Sequence, residues 1–527
     1  MRPGTSDITG GIAGRMTGGG LRLGNVMLAL ALLYLWRLGA APLFDVDEGA
    51  FAEATREMLA SGDWGHTFLN GVDRFDKPIL VYWFQALSMA IFGINEWAAR
   101  LPSALWTLGA TWAVGRAVSR EQGENAGVLT ALVLGSAMGY LAMGRAATAD
   151  GLLNALIILT SLQLWRFAQT RAVSALYWAY FWTALGLLAK GPVAVLVPGG
   201  ALFFWSLFSD RGRTAWAALW APRAWFLALV VAGPWYAYAL NRHGMAFIEG
   251  FFLKHNVERF SGAMEGHGGS IAYYLVVWPL LCLPWAPLMA GVVWRARSFW
   301  QTPHTRFLMV WALWVLVFFS LSGTKLPHYL MYGTAPMLLL MAQVLLHAGQ
   351  AWRAVVWLGI IATTLVLAAS GEVVQIYAPL IQDDWYRQLL QSAPDAHQMA
   401  LAGAVGAGVV LLLGLWGYRA SAAPVGVRLL ASVVMGMGIY TTLVLPWWGN
   451  AMQGPIKAAG EAIRAADAQA VQWRTHRPSV AFYAQRIVPR RAPVAGEWGL
   501  TLSTKLNSLP PTDVISESRG VLLVKPR

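Results

Sequence analysis

Charge is what this chain most lacks. Of 527 residues, 12% are Asp, Glu, Lys or Arg, about half the roughly 25% of a soluble globular domain, so the solvated surface of a cytosolic enzyme is missing. Cysteine is nearly absent as well. A single thiol, Cys282 in the apolar stretch LLCLPW, excludes an intramolecular disulfide and a Cys-based metal cluster, and reads as plain packing. Basic blocks are also missing: the net charge is +13, yet the cations stand singly in short loops, as the positive-inside bias of membrane proteins requires and nucleic-acid binding does not. Low complexity is confined to the Gly-rich start, and no solenoid repeat is present.

Apolar residues fill the space that charge leaves. They make up 57% of the chain, with 28 Trp, and the mean hydropathy is +0.50. Runs such as VMLALALLYLW and ALIILTSLQLW recur, each bounded by Arg, Lys, Pro or Gly, which is the pattern of an all-α polytopic membrane protein. About thirteen spans are expected, at 25–41, 97–118, 125–144, 151–168, 173–189, 193–208, 224–240, 271–294, 305–322, 328–346, 353–371, 398–417 and 427–446. The first run ends in Gly39-Ala40-Ala41, a possible cleavage site, but an uncleaved first span places Arg116 and Arg120, Arg166 and Arg171, Arg211 and Arg213, Arg295 and Arg297, and Arg419 and Arg428 on the cytoplasmic side.

This topology divides the chain into a cytoplasmic segment 1–24, a membrane domain 25–446 and a small extracytoplasmic α/β domain 447–527 with the alternating stretch VAFYAQRIV. The outward loops are 42–96, 145–150, 190–192, 241–270 and 323–327. Within the first, residues 79–93 are apolar over too short a run to span, so they read as a helix at the outer interface.

The unusual polar residues of a charge-poor membrane protein mark its site, and here they gather in the outward loops. Asp47 and Glu48 follow the first span and open an amphipathic helix. Such carboxylates serve as a general base, hold a metal or cationic substrate, or simply cap a helix. Asp150 is the second outward carboxylate, again with capping as the plainer reading. Asp76 and Lys77 stand before the interfacial helix, where a cation and free N–H groups suit a phosphate, with interfacial anchoring of Lys77 as the alternative. Lys190 and Lys325 end spans on the side where cations are otherwise depleted, although such lysines also serve as interface anchors. The 241–270 loop supplies Lys254, His255, Asn256, Glu258, Arg259 and His267. Arg259 suits a bidentate phosphate contact or a salt bridge to Glu258 or Glu265, and His255 suits a metal or an ordinary hydrogen bond. Together they describe an enzyme acting on a phosphate-linked substrate at the lipid surface. A proton-coupled transporter fits less well, because its site sits at mid-membrane on broken helices.

The order of these motifs resembles a known family. Asp47-Glu48, Arg56-Glu57-Met58-Leu59, Gly62-Asp63-Trp64, Asn70-Gly71, Phe75-Asp76-Lys77-Pro78, Tyr82-Trp83 and Arg100-Leu101-Pro102-Ser103 are followed by Thr148-Ala149-Asp150, Leu188-Ala189-Lys190-Gly191-Pro192, His255-Asn256-Val257-Glu258-Arg259-Phe260, Pro284-Trp285 and Lys325-Leu326-Pro327-His328-Tyr329. Over about residues 25–345 the chain is similar to the aminoarabinose transferase and protein mannosyltransferase group of C-type glycosyltransferases. The resemblance implies transfer of one sugar from a polyprenyl-phosphate donor to a lipid A, other glycolipid or protein acceptor outside a bacterial inner membrane, with inversion. It implies Asp47 as the catalytic acid of the first motif, beside Glu48, with Asp150 as its partner. Lys77, Arg259, Lys190 and Lys325 would hold the donor phosphate, Tyr329 would line the donor pocket, and His255 with Asp76 would bind a divalent metal. No nucleotide cofactor and no nucleic acid are implied. The family's pattern departs at Gly49-Ala50-Phe51 and Ile79, and Asp76 is shorter than the Glu often found there. A flippase for polyprenyl-linked sugars and a noncatalytic envelope scaffold are the competing functions.

Overall fold

The computed structural model describes residues 21–258, 269–419, 425–508 and 510–527. It is mostly helical. Among the described residues, seven helices are long and apolar enough to cross a membrane, or eight with one bent pair counted as a span: Ala149–Thr170, Gly212–His243, Pro303–Leu321, Pro327–Leu346, Ala351–Leu380, His397–Leu415 and Gly426–Ala465, with Glu124–Ser136 and Met138–Gly144 as the pair. The molecule is therefore a multi-pass membrane protein. All thirteen expected stretches are helical in part, but several are shorter or broken. Helix ends follow local chemistry: Asn95 accepts the Ala98 N–H at 2.9 Å to start Glu96–Gln122, and Pro303 sits at the first turn of Pro303–Leu321.

Three departures from the expected spans have visible causes. The first helix runs Leu23–Leu35 and stops before 41, because its last carbonyls are taken elsewhere: Arg145 Nη1 donates to Leu33 and Tyr34 carbonyls at 2.7 Å and to Trp36 at 3.0 Å. The stretch 125–144 bends by 63° after Ser136. The stretch 271–294 breaks into Tyr273–Cys282 and Leu288–Trp294. The two breaks meet, the Met138 N–H donating to the Leu283 carbonyl at 2.7 Å and Trp285 Nε1 to Ser136 Oγ at 3.0 Å. Non-helical backbone inside a bilayer is tolerated only where protein satisfies it, and these partners do so.

The segment expected at the interface is the helix Leu80–Phe92, about 20 Å long at 1.5 Å per residue against a core of about 30 Å. It packs against the helix Asp47–Ser61, with Tyr82 stacked on Phe51 at 5.4 Å; that helix, expected to be amphipathic, is buried on all sides from Glu48 to Met58. Beyond the membrane domain, the helix through Tyr440–Val444 and Leu445–Ala465 continues without interruption past residue 446. A four-stranded sheet follows. Ala470–Gln472 runs parallel to Trp498–Leu502, which pairs antiparallel with Val521–Pro526, and that strand pairs antiparallel with Thr512–Ser518. The alternating stretch VAFYAQRIV begins as a helix, Ser479–Ala484, because Pro478 has a helical φ of −59° and Asp45 takes the Ser479 N–H. Phe482 and Tyr483 of that helix pack with Leu43 and Ala52, so the C-terminal part rests on the Asp47 segment.

Candidate active site

One arginine builds the platform for the first acidic motif. Arg100 is buried and donates to the carbonyls of Leu38, Ala41 and Pro42 at 3.0, 2.7 and 3.0 Å, fixing the turn after the first helix. The same guanidinium grips Glu48 with Nε–Oε1 at 2.8 Å and Nη2–Oε2 at 2.7 Å. Glu48 also accepts the Phe44 N–H at 3.0 Å and the Ala147 N–H at 2.6 Å. Burial alone would raise the Glu48 pKa, but the charge and hydrogen bonds of Arg100 hold it below the ordinary value. This is a correction to its expected catalytic role: with both oxygens committed and the side chain buried, Glu48 joins the Asp47 helix to the 145–150 loop and has no free face for substrate.

Asp47 is its opposite. It is exposed, and its carboxylate makes no hydrogen bond or ion pair with any described residue. The capping reading fails, since Asp47 is the first residue inside the helix and the N-cap is Val46, without a side-chain bond. Asp45, two residues earlier, accepts from Ser479 through the backbone N–H at 2.9 Å and Oγ at 2.6 Å. Burial pushes the Asp45 pKa up to about 6 against the lowering effect of those bonds and of Arg477.

Asp150 and Lys190 come together, but as partners. Lys190 Nζ lies 2.5 Å from Asp150 Oδ1, Tyr332 OH donates to the same oxygen at 2.8 Å, and His328 Nε2 stands 3.9 Å away. Lys190 also faces the rings of Tyr329 and Tyr332 at 5.5 and 5.9 Å. Tyr332, three residues after Tyr329 and so on the same helical face, went unnoticed in the sequence, although that spacing is its signal.

Close packing brings further motif segments to this cluster. Gly191 has φ +83°, and a Cβ there would lie 2.6 Å from Phe251 Cζ, so only glycine admits this contact. Gly250 packs in the same way on Phe75, where a Cβ would meet the Phe75 Cβ at 2.8 Å. The segments carrying Phe75-Asp76-Lys77, Lys190-Gly191 and Ile248–Glu258 therefore converge. Lys77 Nζ donates to the Asp76 carbonyl at 2.9 Å, and the Asp76 carboxylate pairs with Arg74 at 3.1 Å. Arg74 is a further cation at this place: it is buried, stands 5.2 Å from the Phe51 ring centroid, and its Nε and Nη1 have no partner among the described residues. Lys325 stands apart from its expected phosphate role. Its Nζ donates to the Ser320 and Ser322 carbonyls at 3.1 and 2.7 Å, closing the end of Pro303–Leu321. Arg259 and the His255 side chain lie outside the described residues. Of the expected metal pair, the Asp76 carboxylate is thus described in an ion pair with Arg74.

Residues 76–238 match the family model described as dolichyl-phosphate-mannose-protein mannosyltransferase. The chain is 30% identical over 334 residues to an undecaprenyl phosphate-alpha-4-amino-4-deoxy-L-arabinose arabinosyl transferase of Shewanella sediminis, covering 61% of this chain and 59% of that protein. It is 32% identical over 345 residues to the corresponding transferase 1 of Sodalis glossinidius, covering 62% and 59%. The matched region thus spans less than two thirds of the length of these curated relatives. The crystal structure of ArnT from Cupriavidus metallidurans bound to undecaprenyl phosphate superposes with TM-score 0.78 at 21% identity, over 95% of this chain and 97% of that one, and the apo state with TM-score 0.77. The resemblance to the aminoarabinose transferase and protein mannosyltransferase group is borne out by the family match, the curated relatives and the shared fold, which is the fold of ArnT.

Proposed function

We propose that the protein is an integral membrane glycosyltransferase that moves a single sugar from a polyprenyl-phosphate donor to an envelope acceptor, lipid A foremost, at the periplasmic face of a bacterial inner membrane. The observation that carries this reading is the pair of neighbouring carboxylates with opposite fates: Glu48 locked by Arg100, and Asp47 held on the resulting platform with an uncommitted, exposed carboxylate. In the proposed reaction the acceptor oxygen forms a bond to the anomeric carbon, the bond from that carbon to the donor phosphate oxygen breaks, and Asp47 orients the acceptor hydroxyl or takes its proton. Lys77 and Arg74, with Arg259, stabilise the negative charge left on the phosphate. Lys190 acts through Asp150 and the two tyrosines as the wall of the donor pocket.

The remaining topology belongs to the same proposal: thirteen spans, with the loops 42–96 and 241–270 and the sheet-bearing tail outside. So does a divalent ion at His255 and Asp76, which when bound would add positive charge beside the donor phosphate. A flippase for polyprenyl-linked sugars shares the lipid, but the named relatives are transferases. Purified protein given undecaprenyl-phosphate-linked aminoarabinose and lipid A in detergent, without any gradient, tests the reading. A sugar-sized mass gain on lipid A supports it; an unmodified acceptor across a panel of lipid-linked sugars and envelope acceptors, with donor translocation in vesicles, would favour the flippase.

A further inference from the structure

Beside the donor cluster, with Phe75 against both histidine rings, three potential metal ligands meet at the junction of the 42–96 and 241–270 loops. His66 precedes a two-stranded hairpin, Phe68–Leu69 and Val72–Asp73, whose second strand ends on Asp73. His243 is the last residue of the helix Pro222–His243. One ligand atom from each of His66, Asp73 and His243 lies within 4.8 Å of the others. His66 Nε2 stands 3.0 Å from Asp73 Oδ1 and His243 Nδ1 3.8 Å from Asp73 Oδ2, while the two imidazole rings are 4.1 Å apart between centroids and tilted by 36°.

The spacing has a chemical meaning. Ligands about 2.0–2.1 Å from a tetrahedral ion are separated by about 3.3 Å, and each imidazole lies near that distance from one oxygen of Asp73, His66 at 3.0 Å from Oδ1 and His243 at 3.8 Å from Oδ2. The burial pattern agrees with it. His66 and His243 have side chains only 6% and 10% exposed, while Asp73 is 47% exposed, which leaves an entry path on the carboxylate side.

A purely structural role for the cluster is not needed to fasten the hairpin. Arg242 already pairs with Asp63 at 2.7 Å, and Trp235 Nε1 donates to the Gly65 carbonyl at 3.0 Å. We infer that His66, Asp73 and His243 form a binding site for one divalent transition ion of the zinc type, with water completing the shell, distinct from the His255 and Asp76 pair. The ion joins the hairpin leading into Arg74 and Lys77 to the helix end leading into the segment with His255 and Arg259, and so sets the distance between the two loops that carry donor-phosphate cations. This inference stands on its own whether or not the chain is a transferase.

The test is metal analysis of the purified full-length protein in detergent, loaded with ZnCl2 and passed through gel filtration, with a parallel titration by CoCl2 in which four-coordinate Co2+ gives its visible ligand-field bands. The expected result is one equivalent lost in His66→Ala and in His243→Ala, weakened in Asp73→Asn, and still bound in His255→Ala, which can empty only the separate His255 and Asp76 pair. His243→Ala at the helix end, with its elution position compared to the native protein, guards against a folding defect in the His66 variant. Retention of the equivalent in both His66→Ala and His243→Ala overturns the site. So does a native protein that holds no equivalent and gives only six-coordinate Co2+ spectra, or loss of metal in His255→Ala alone.

Discussion

Arg100 holds Glu48 through two parallel hydrogen bonds of 2.8 and 2.7 Å while three of its other contacts go to backbone carbonyls of the turn after the first helix. The adjacent Asp47 is thereby placed by a partner it never touches. Removing one member of a buried, hydrogen-bonded ion pair costs about 3–5 kcal/mol, so Arg100→Ala and Glu48→Ala should each lower the unfolding midpoint in detergent markedly. A variant with native thermal stability would show that the grip is dispensable.

Asp47→Asn should behave differently. No described contact is lost, so the melting midpoint should stay within about a degree of native, since surface substitutions away from special features fall within about ±0.5 kcal/mol. Transfer activity should fall by about two orders of magnitude or more, the loss expected of a positioned acid or base. Equal losses of stability and activity would mean that Asp47 is structural.

Lys77→Ala should raise the apparent KM for the lipid-linked donor more than it lowers kcat, because its proposed contact is to a phosphate present in both ground and transition states. A steady-state titration of donor checks this. An unchanged KM with a lower kcat would move Lys77 from binding to charge stabilisation in the transition state.

Lys190 and Asp150 should show strong coupling in a double-mutant cycle. Lys190→Met alone leaves the Asp150 carboxylate buried with Tyr332 and distant His328, and Asp150→Asn alone leaves the ammonium without its counter-charge. The double variant should therefore be more stable than the sum of single losses suggests, by about 0.5–3 kcal/mol. Additive losses in thermal denaturation would contradict the pairing.

Asp45 links pH to the seat of the C-terminal sheet region. Its pKa in the folded protein is raised to about 6, mainly by burial, above an unfolded value of about 3.9. The folded state binds this proton more tightly, so the stabilising contribution is full below about pH 4 and is lost as pH rises through about 6. Relative to Asp45→Asn, the native protein should lose stability between those values, on the order of 3 kcal/mol. Melting curves across pH 4–7 read the difference; parallel curves would place the Asp45 carboxyl in a solvent-like environment.

Much of this architecture was legible because it follows from local composition. Long apolar runs located the helices, the short run 79–93 among them as Leu80–Phe92. The acidic motif and the Asp150 and Lys190 motifs were visible as polar residues where a membrane protein has few. What escaped depended on partners distant in sequence. Glu48 is committed by Arg100, 52 positions later, and the break after Ser136 is stabilised by Leu283 and Trp285. The stretch VAFYAQRIV alternates like a strand, yet becomes a helix where Asp45 satisfies its first N–H. His66, Asp73 and His243 carry no local spacing motif, so only the fold reveals them as a group.

The central claim is that Asp47 is the working carboxylate of a sugar transferase. Mass spectrometry of envelope glycolipids and glycoproteins from a deletion strain, complemented with the native chain or with Asp47→Asn at matched membrane levels, tests it most directly. The account predicts that one sugar-sized mass vanishes from a defined molecule on deletion and returns only with the native chain. Equal restoration of that mass by Asp47→Asn would contradict it.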